Sequence, residues 1–247
     1  MVRQAVILAA GAGKRLGLSY PKALLSFGNK TILERAIQIL YKEGIREVVI
    51  VAGYEDGELY LLASEIERNL PGLSIVRVFN DQYDKTNNVY SLWLARSFFN
   101  IGGFVLLNCD VLFHSAIFRL LLESGHETAI SMDDSKELGW EDMKVKLGNK
   151  GCVKEISKEM DPREAQGEYI GLARFGVNST SLISQALDTV VKQGCLSLFY
   201  ENAIQMICGE VDIYGMSTEQ LPWIEIDTLE DIEEARISIY PKLDAIA

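Results

Sequence analysis

Short apolar strands and amphipathic helices alternate along the first part of this chain, and no other feature restricts its fold as much. Ala5-Val-Ile-Leu-Ala-Ala10 is a β-branched, apolar run cut off by Gly11, the pattern of a strand buried on both faces. Thr31-Ile-Leu-Glu34 is a capping box, in which the Thr31 hydroxyl accepts an amide of the first turn and Glu34 reaches back. It opens a helix with Leu33, Ala36, Ile37 and Leu40 on one face, stopped by Gly44. Strands are then expected over Glu47–Ala52, Leu73–Phe79 and Phe104–Asn108, with helices over Glu58–Asn69 and Val89–Phe99. Strand and helix in turn imply right-handed crossovers and a mostly parallel α/β sheet.

The second half reads differently. Met143–Leu147 and Cys152–Ser157 flank Gly148-Asn149-Lys150-Gly151, a hairpin signal. Tyr169–Phe175 reads as another strand, and Leu182–Val191 and Leu198–Cys208 as helices. A short strand, Trp223–Asp227, feeds a second capping motif, Thr228-Leu-Glu-Asp231, at the start of the last helix. With no repeat, low-complexity tract or linker, residues 1–247 read as one α/β domain with an antiparallel appendage.

Charge and residue counts then exclude whole classes of function. The chain has 247 residues, with 24 basic and 35 acidic side chains and a net charge of -11. That field repels nucleic acid and anionic membranes, so neither is expected as a partner, while a few local cations can still bind a small anion. Two histidines, His114 and His126, are too few for a histidine-rich metal site and are expected on loops or helix surfaces. Cys109, Cys152, Cys195 and Cys208 contain no CxxC pair, which suits reduced thiols in a cytoplasmic protein. The run 5–10 is too short to span a bilayer.

Gly11-Ala-Gly13-Lys14-Arg15-Leu16-Gly17 follows the first strand, at the carboxyl edge where open α/β sheets bind ligands. It is not a P-loop, because Leu18 stands where Lys is required after the second glycine. It is not a dinucleotide fingerprint either, because Leu16 replaces the third glycine, which argues against a nicotinamide-dependent oxidoreductase. By chemistry alone it is either a tight turn with solvated cations or a glycine turn whose amides, with Lys14, Arg15 and Lys22, meet a polyphosphate.

Leu8-Ala-Ala-Gly-Ala-Gly-Lys-Arg-Leu16 with Pro21-Lys22 resembles the signature of the nucleotidyltransferase superfamily that makes nucleotide-activated sugars and alcohols. The likeness runs to Asp227 and the helix after it. Asn80-Asp-Gln-Tyr83 followed by Asn87-Asn-Val-Tyr-Ser-Leu92 is similar to the cytidylyltransferases of phosphocholine type, as is the short loop between Gly13 and Pro21. The resemblance implies a Rossmann-like three-layer sandwich with a small antiparallel acceptor-side subdomain, a nucleotide-binding half over 1–112 and an acceptor half over 113–247. It implies that Leu8, Ala9, Ala10, Gly11 and Gly13 lie beneath a nucleoside triphosphate, CTP being favoured, and that Lys14, Arg15 and Lys22 take its phosphates. It places Mg²⁺ on Asp110 and on Glu225 and Asp227, two positions that strand alternation puts on one face. Lys158 matches a second lysine near the acceptor phosphate, and Glu168 an acceptor-side glutamate. Asn87 and Asn88, with Ser91, either bind the base and ribose or cap the helix.

For the acceptor, a small phosphorylated compound, Trp140, Tyr169, Tyr200 and Trp223 with Asp133, Asp134, Glu141 and Asp142 are candidates for an aromatic and acidic cage around a quaternary ammonium. The alternative is that the aromatic residues pack the core. Phosphocholine suits such a cage; sugar 1-phosphates, inositol 1-phosphate and 2-aminoethylphosphonate also meet the charge requirement. A catalytically silent nucleotide-binding scaffold of the same fold is the rival from another class, and homodimerisation is left open.

Overall fold

The computed structural model describes residues 2–11, 13–99 and 102–243, the Lys14 side chain excepted. The chain begins with β1 (Gln4–Ala9), a small hairpin of β2 (Ser26–Phe27) and β3 (Lys30–Thr31), and α1 (Ile32–Lys42). It continues through β4 (Glu47–Ala52), α2 (Asp56–Asn69), β5 (Ser74–Phe79), α3 (Asn88–Ala95), β6 (Phe104–Asn108), β7 (Val111–Phe113) and α4 (Ser115–Glu123). The second half contributes β8 (Ala129–Asp133), β9 (Lys144–Leu147), β10 (Val153–Ser157) and β11 (Gly167–Phe175), then α5 (Val177–Lys192) and α6 (Tyr200–Ile207). Last come β12 (Tyr214–Ser217), β13 (Trp223–Glu225) and α7 (Leu229–Glu234).

A nine-stranded sheet runs β10-β9-β11-β6-β1-β4-β5, with β8 and β12 joined on through β11. The strands β6, β1, β4 and β5 are parallel. The direction changes where β11 pairs antiparallel with β6. The antiparallel strands of the second half extend the central sheet at this edge. Alternate residues of β1 serve opposite faces. Ala5, Ile7 and Ala9 pack with α1, α2 and α4, while Val6 and Leu8 pack with α3, α5 and α6. The result is a three-layer α/β/α sandwich, and its two cores are why the parallel strands read as unbroken apolar runs. No described helix is long and apolar enough to cross a membrane.

Several element boundaries differ from the sequence expectation, and three of the differences have a local cause. Helix α5 starts at Val177 instead of Leu182, because its polar opening turn is internally satisfied: the Ser179 and Thr180 hydroxyls donate to the Gly176 carbonyl, and Thr128 donates to Ser179. Helix α3 ends at Ala95 and tightens into a 3-10 turn over Arg96–Phe98. Strand β13 stops at Glu225, since the Asp227 amide is already bound by the Asp231 carboxylate at 2.8 Å.

A third apolar cluster positions the site. Leu16, Leu25, Phe27, Ile32, Leu112, Ile226, Ile232 and Ala235 are buried together, which lays β13 and α7 against the turn after β1. Each leucine, isoleucine or phenylalanine side chain among them contributes about 1.5–3 kcal/mol on burial. Both expected capping boxes form, Thr31 with Glu34 on α1 and Thr228 with Asp231 on α7.

Candidate active site

The site lies at the carboxyl ends of β1 and β6, where parallel strands open into a crevice. Asp110 follows β6, and β7 then pairs antiparallel with β13, Val111 opposite Glu225. The Ile226 amide donates to the Asp110 carbonyl at 2.9 Å. Ile226 itself is fully buried in the third apolar cluster. The neighbouring Glu225 and Asp227 therefore project the other way, toward Asp110, and carboxylate oxygens of the three residues lie within 4.8 Å of one another.

Two cations stand against this triplet. Lys22 Nζ donates to Asp227 and stands 3.6 Å from Asp110, and Arg15 pairs with Asp227 at 3.3 Å. Burial works against the Lys22 ammonium, but the charges of Asp110, Asp227 and Glu225 outweigh it and hold its pKa above the usual lysine value. Burial also raises Asp110, helped by the charge of Asp227 and opposed by Lys22. Asp227 is driven the other way, its burial overcome by Lys22 and Arg15. Glu225 opens to the cavity, yet desolvation at its floor, then the charges of Asp110 and Asp227, push its carboxyl up to about 8. Asp110 Oδ1 is buried with no hydrogen-bond partner among the described residues. An orphaned carboxylate oxygen beside two further carboxylates is a hard-oxygen donor set that fits a Mg²⁺-sized cation.

Two cavities meet at this point, sharing Arg15, Lys158, Glu225 and Asp227 in their walls. The first, about 260 Å³, is lined by Leu8, Ala10 and Gly11 from the β1 end and by Asn87, Asn88 and Ser91 from α3. Ala9 and Lys22 line a small crevice beside it with Asp110. Gly13 lines neither: its φ of +54° makes the turn in which its carbonyl accepts the Leu16 amide at 2.9 Å. Ala12 and the Lys14 side chain lie outside the described residues. Asn87 caps α3 through the Asn88 amide at 2.7 Å, and Asn88 Oδ1 accepts the Tyr200 amide at the start of α6 at 2.8 Å. Both asparagines thus have capping roles while facing the cavity.

Asn80 and Tyr83, noted in sequence only as part of a motif, and Thr86 and Asn108, which sequence reasoning missed, also line this wall. Asn80 is buried, donates to Ser91 at 3.0 Å and accepts the Gln82 amide at 2.9 Å. Asn108 accepts from the Tyr200 hydroxyl at 3.1 Å and lies over Gly171, where an added Cβ would stand 2.7 Å from the Asn108 amide nitrogen. Asn80 and Asn108 each fall at the end of a parallel strand, and that position was the available signal.

The second cavity, about 460 Å³, is walled by Asp133, Glu141, Asp142, Glu168 and Trp223, with Lys136 and Lys158. Trp223 Nε1 donates to Asp133 at 2.8 Å. Lys158 borders both cavities, its ammonium 5.0 Å from the Phe199 ring centroid, and makes no ion pair among the described residues. The expected aromatic cage is corrected in four members. Tyr169 and Tyr200, 4% and 0% exposed, are core residues whose hydroxyls lie 3.0 Å apart. Trp140, 66% exposed, borders neither cavity, and among the described residues only its carbonyl is engaged, by Lys144 at 2.8 Å. Asp134 is bound by the Ser217 hydroxyl at 2.7 Å. The histidines behave as expected: His114 caps α4 and His126 stacks on Tyr214.

Comparison with known proteins agrees with this fold. Residues 5–167 match the model of the MobA-like NTP transferase domain. The CTP:phosphoglutamine cytidylyltransferase of Campylobacter jejuni is 26% identical over 93% of this chain and 97% of its own. The choline-phosphate cytidylyltransferase of Streptococcus pneumoniae is 25% identical over 92% of this chain and 94% of its own. Among solved structures, the inositol-1-phosphate CTP transferase from T. maritima superposes with a TM-score of 0.75 at 20% identity, covering 99% of this chain and 98% of that one. By its glycine turn, its three-layer sheet and the matched span, the chain belongs to the MobA-like NTP transferase family, within the nucleotidyltransferase superfamily.

Proposed function

We propose that the chain transfers CMP from CTP to a small phosphorylated alcohol, phosphocholine being the type, and releases pyrophosphate. The observation that carries this reading is the meeting of two cavities at Asp110, Glu225 and Asp227, with Arg15, Lys22 and Lys158 around them. The first cavity would take the nucleotide and the second the acceptor, so the halves 1–112 and 113–247 divide the work. Base preference for CTP rests on the relatives named cytidylyltransferases.

The acceptor phosphate needs no general base. Its second pKa is near about 6, so it is largely a dianion at neutral pH and attacks as it stands. Alignment and charge neutralisation are what the protein has to supply. Lys158, facing both cavities, is placed to hold the acceptor phosphate against the α-phosphate. Arg15 stands at the same junction, at the edge of the glycine turn. Lys22 holds Asp110 and Asp227 together and its charge favours their ionised forms, which suits a cation site. Asp110, Glu225 and Asp227 would hold Mg²⁺, which when bound offsets negative charge on the transferring phosphate and the leaving pyrophosphate. Four free thiols among the described residues suit a reducing, cytoplasmic setting.

The test is pyrophosphate release with Mg²⁺, crossing the four nucleoside triphosphates with phosphocholine, inositol 1-phosphate, 2-aminoethylphosphonate and glucose 1-phosphate. Release is expected with CTP, and Asp110→Asn should lower it by about 10³-fold or more while CTP binding persists. No release together with no nucleotide binding would sink the reading.

A further inference from the structure

The acceptor-side cavity already contains a cation, supplied by the protein. Lys136 belongs to the exposed connection between β8 and β9, yet its side chain turns inward. Glu168 accepts from its ammonium at 2.5 Å and Asp142 at 3.4 Å, and the Trp223 ring centroid lies 5.8 Å away. Two carboxylates and the face of an indole are what an ammonium ion asks for.

The frame around this ammonium is fixed, and the ammonium is the movable part. Glu168 is buried in β11, which pairs with both β8 and β9. Lys144 is fully buried and donates to the carbonyls of Gly139, Trp140 and Asp142, which pins the segment bearing Asp142. Trp223 is tied to Asp133, and Asp133 accepts from both the amide and the hydroxyl of Ser135. Lys136 alone reaches its partners through a flexible four-carbon stem with about two-fifths of its side chain exposed.

Charge decides what such a site accepts. Asp133, Glu141, Asp142 and Glu168 face it, and Lys136 is the cation they share. Beside Glu168 and Asp142 a second anion would have to be desolvated among four carboxylates, with the Lys136 ammonium already engaged. A ligand cation, by contrast, replaces Lys136 at no net change in buried charge. The replacement leaves Glu168 paired throughout, and an unpaired buried carboxylate would be costly.

We propose that Lys136 is a built-in stand-in for the cationic group of the acceptor. It fills the Glu168–Asp142–Trp223 position when no acceptor is bound and yields it to an amine or quaternary ammonium, so that it sets acceptor specificity. This inference rests on the transfer reading above. A phosphorylated polyol without a cation leaves Lys136 in place and meets a narrowed cavity.

The experiment is steady-state pyrophosphate release at saturating CTP from wild type, Lys136→Met and Lys136→Arg, with thermal unfolding confirming that each is folded. Phosphocholine and phosphoethanolamine serve as cationic acceptors, inositol 1-phosphate and glycerol 3-phosphate as acceptors without a cation. Removing a half-buried ion-pair competitor should lower KM for phosphocholine about fivefold in Lys136→Met, with kcat little changed. Lys136→Arg, which keeps the charge, should retain a KM near wild type. A phosphocholine KM that is unchanged or raised in Lys136→Met overturns the inference while leaving nucleotidyl transfer intact. Wild-type turnover confined to the acceptors without a cation does the same. Absence of release with every acceptor overturns both the inference and the reading beneath it.

Discussion

At the scale of single residues, Lys22 and Glu201 carry the clearest consequences. The Lys22 ammonium is shared by Asp227 and Asp110 beside Glu225, so Lys22→Met leaves three crowded carboxylates without their main counter-charge. The site is only partly buried, so the expected loss is about 1–3 kcal/mol, below that of a fully buried pair. Added Mg²⁺ should restore more of it in Lys22→Met than it adds to wild type, as read by urea unfolding with and without the ion; equal stabilisation of both would contradict the three-carboxylate site. Glu201, buried on α6 with Oε2 unpartnered among the described residues, is pushed by burial from 4.5 up to about 7. The folded state therefore keeps a proton that the unfolded chain has lost between those values. Stability from this group is greatest below about 4.5 and falls as pH rises through 7, by up to about 3 kcal/mol. Glu201→Gln, neutral throughout, should flatten that decline between pH 5 and 8; parallel losses in the two proteins would show that Glu201 does not titrate there.

At the scale of elements, the same device serves two purposes. Thr31 accepts the Glu34 amide at 3.1 Å, and its helix borders no part of either cavity. On α7, Asp231 accepts the amides of Thr228 and Asp227 at 2.7 and 2.8 Å, so this cap also sets the backbone of a site carboxylate. Thr31→Ala and Asp231→Ala should each cost about 1 kcal/mol of stability. Only Asp231→Ala should also lower turnover, by about tenfold or more, because Asp227 loses the bond that orients it. Comparable turnover in the two variants would remove the cap from the working of the site.

At the scale of the whole molecule, the sheet joins both halves through β6 and β11, and α3 and α5 are tied across the same face by Trp93 and Arg96, each 2.8 Å from Asp188. Unfolding should be a single event. Far-ultraviolet dichroism and the fluorescence of Trp93, Trp140 and Trp223 should then report one coincident thermal transition, while two separated transitions would mean that the halves fold independently.

Local pattern determined what depends on one turn or one pleat. The alternation of apolar strand and amphipathic helix, the two capping boxes, the hairpin around 148–151 and the shared face of Glu225 and Asp227 were all legible, because each depends on neighbours within a few residues. Which side chains meet across long stretches of chain was not. Lys22 reaches Asp227 because eight apolar residues from five parts of the chain bury one another, and periodicity carries no record of that partner. Tyr169 and Trp140 carry the same chemistry as Trp223, yet one is sealed in the core and one points to solvent, since both faces of β11 are covered while Trp140 lies on an exposed connection. Lys144 and Lys136 look alike in sequence. Packing alone made the first a buried staple for the segment bearing Asp142 and left the second part-exposed, with its charge turned into the cavity.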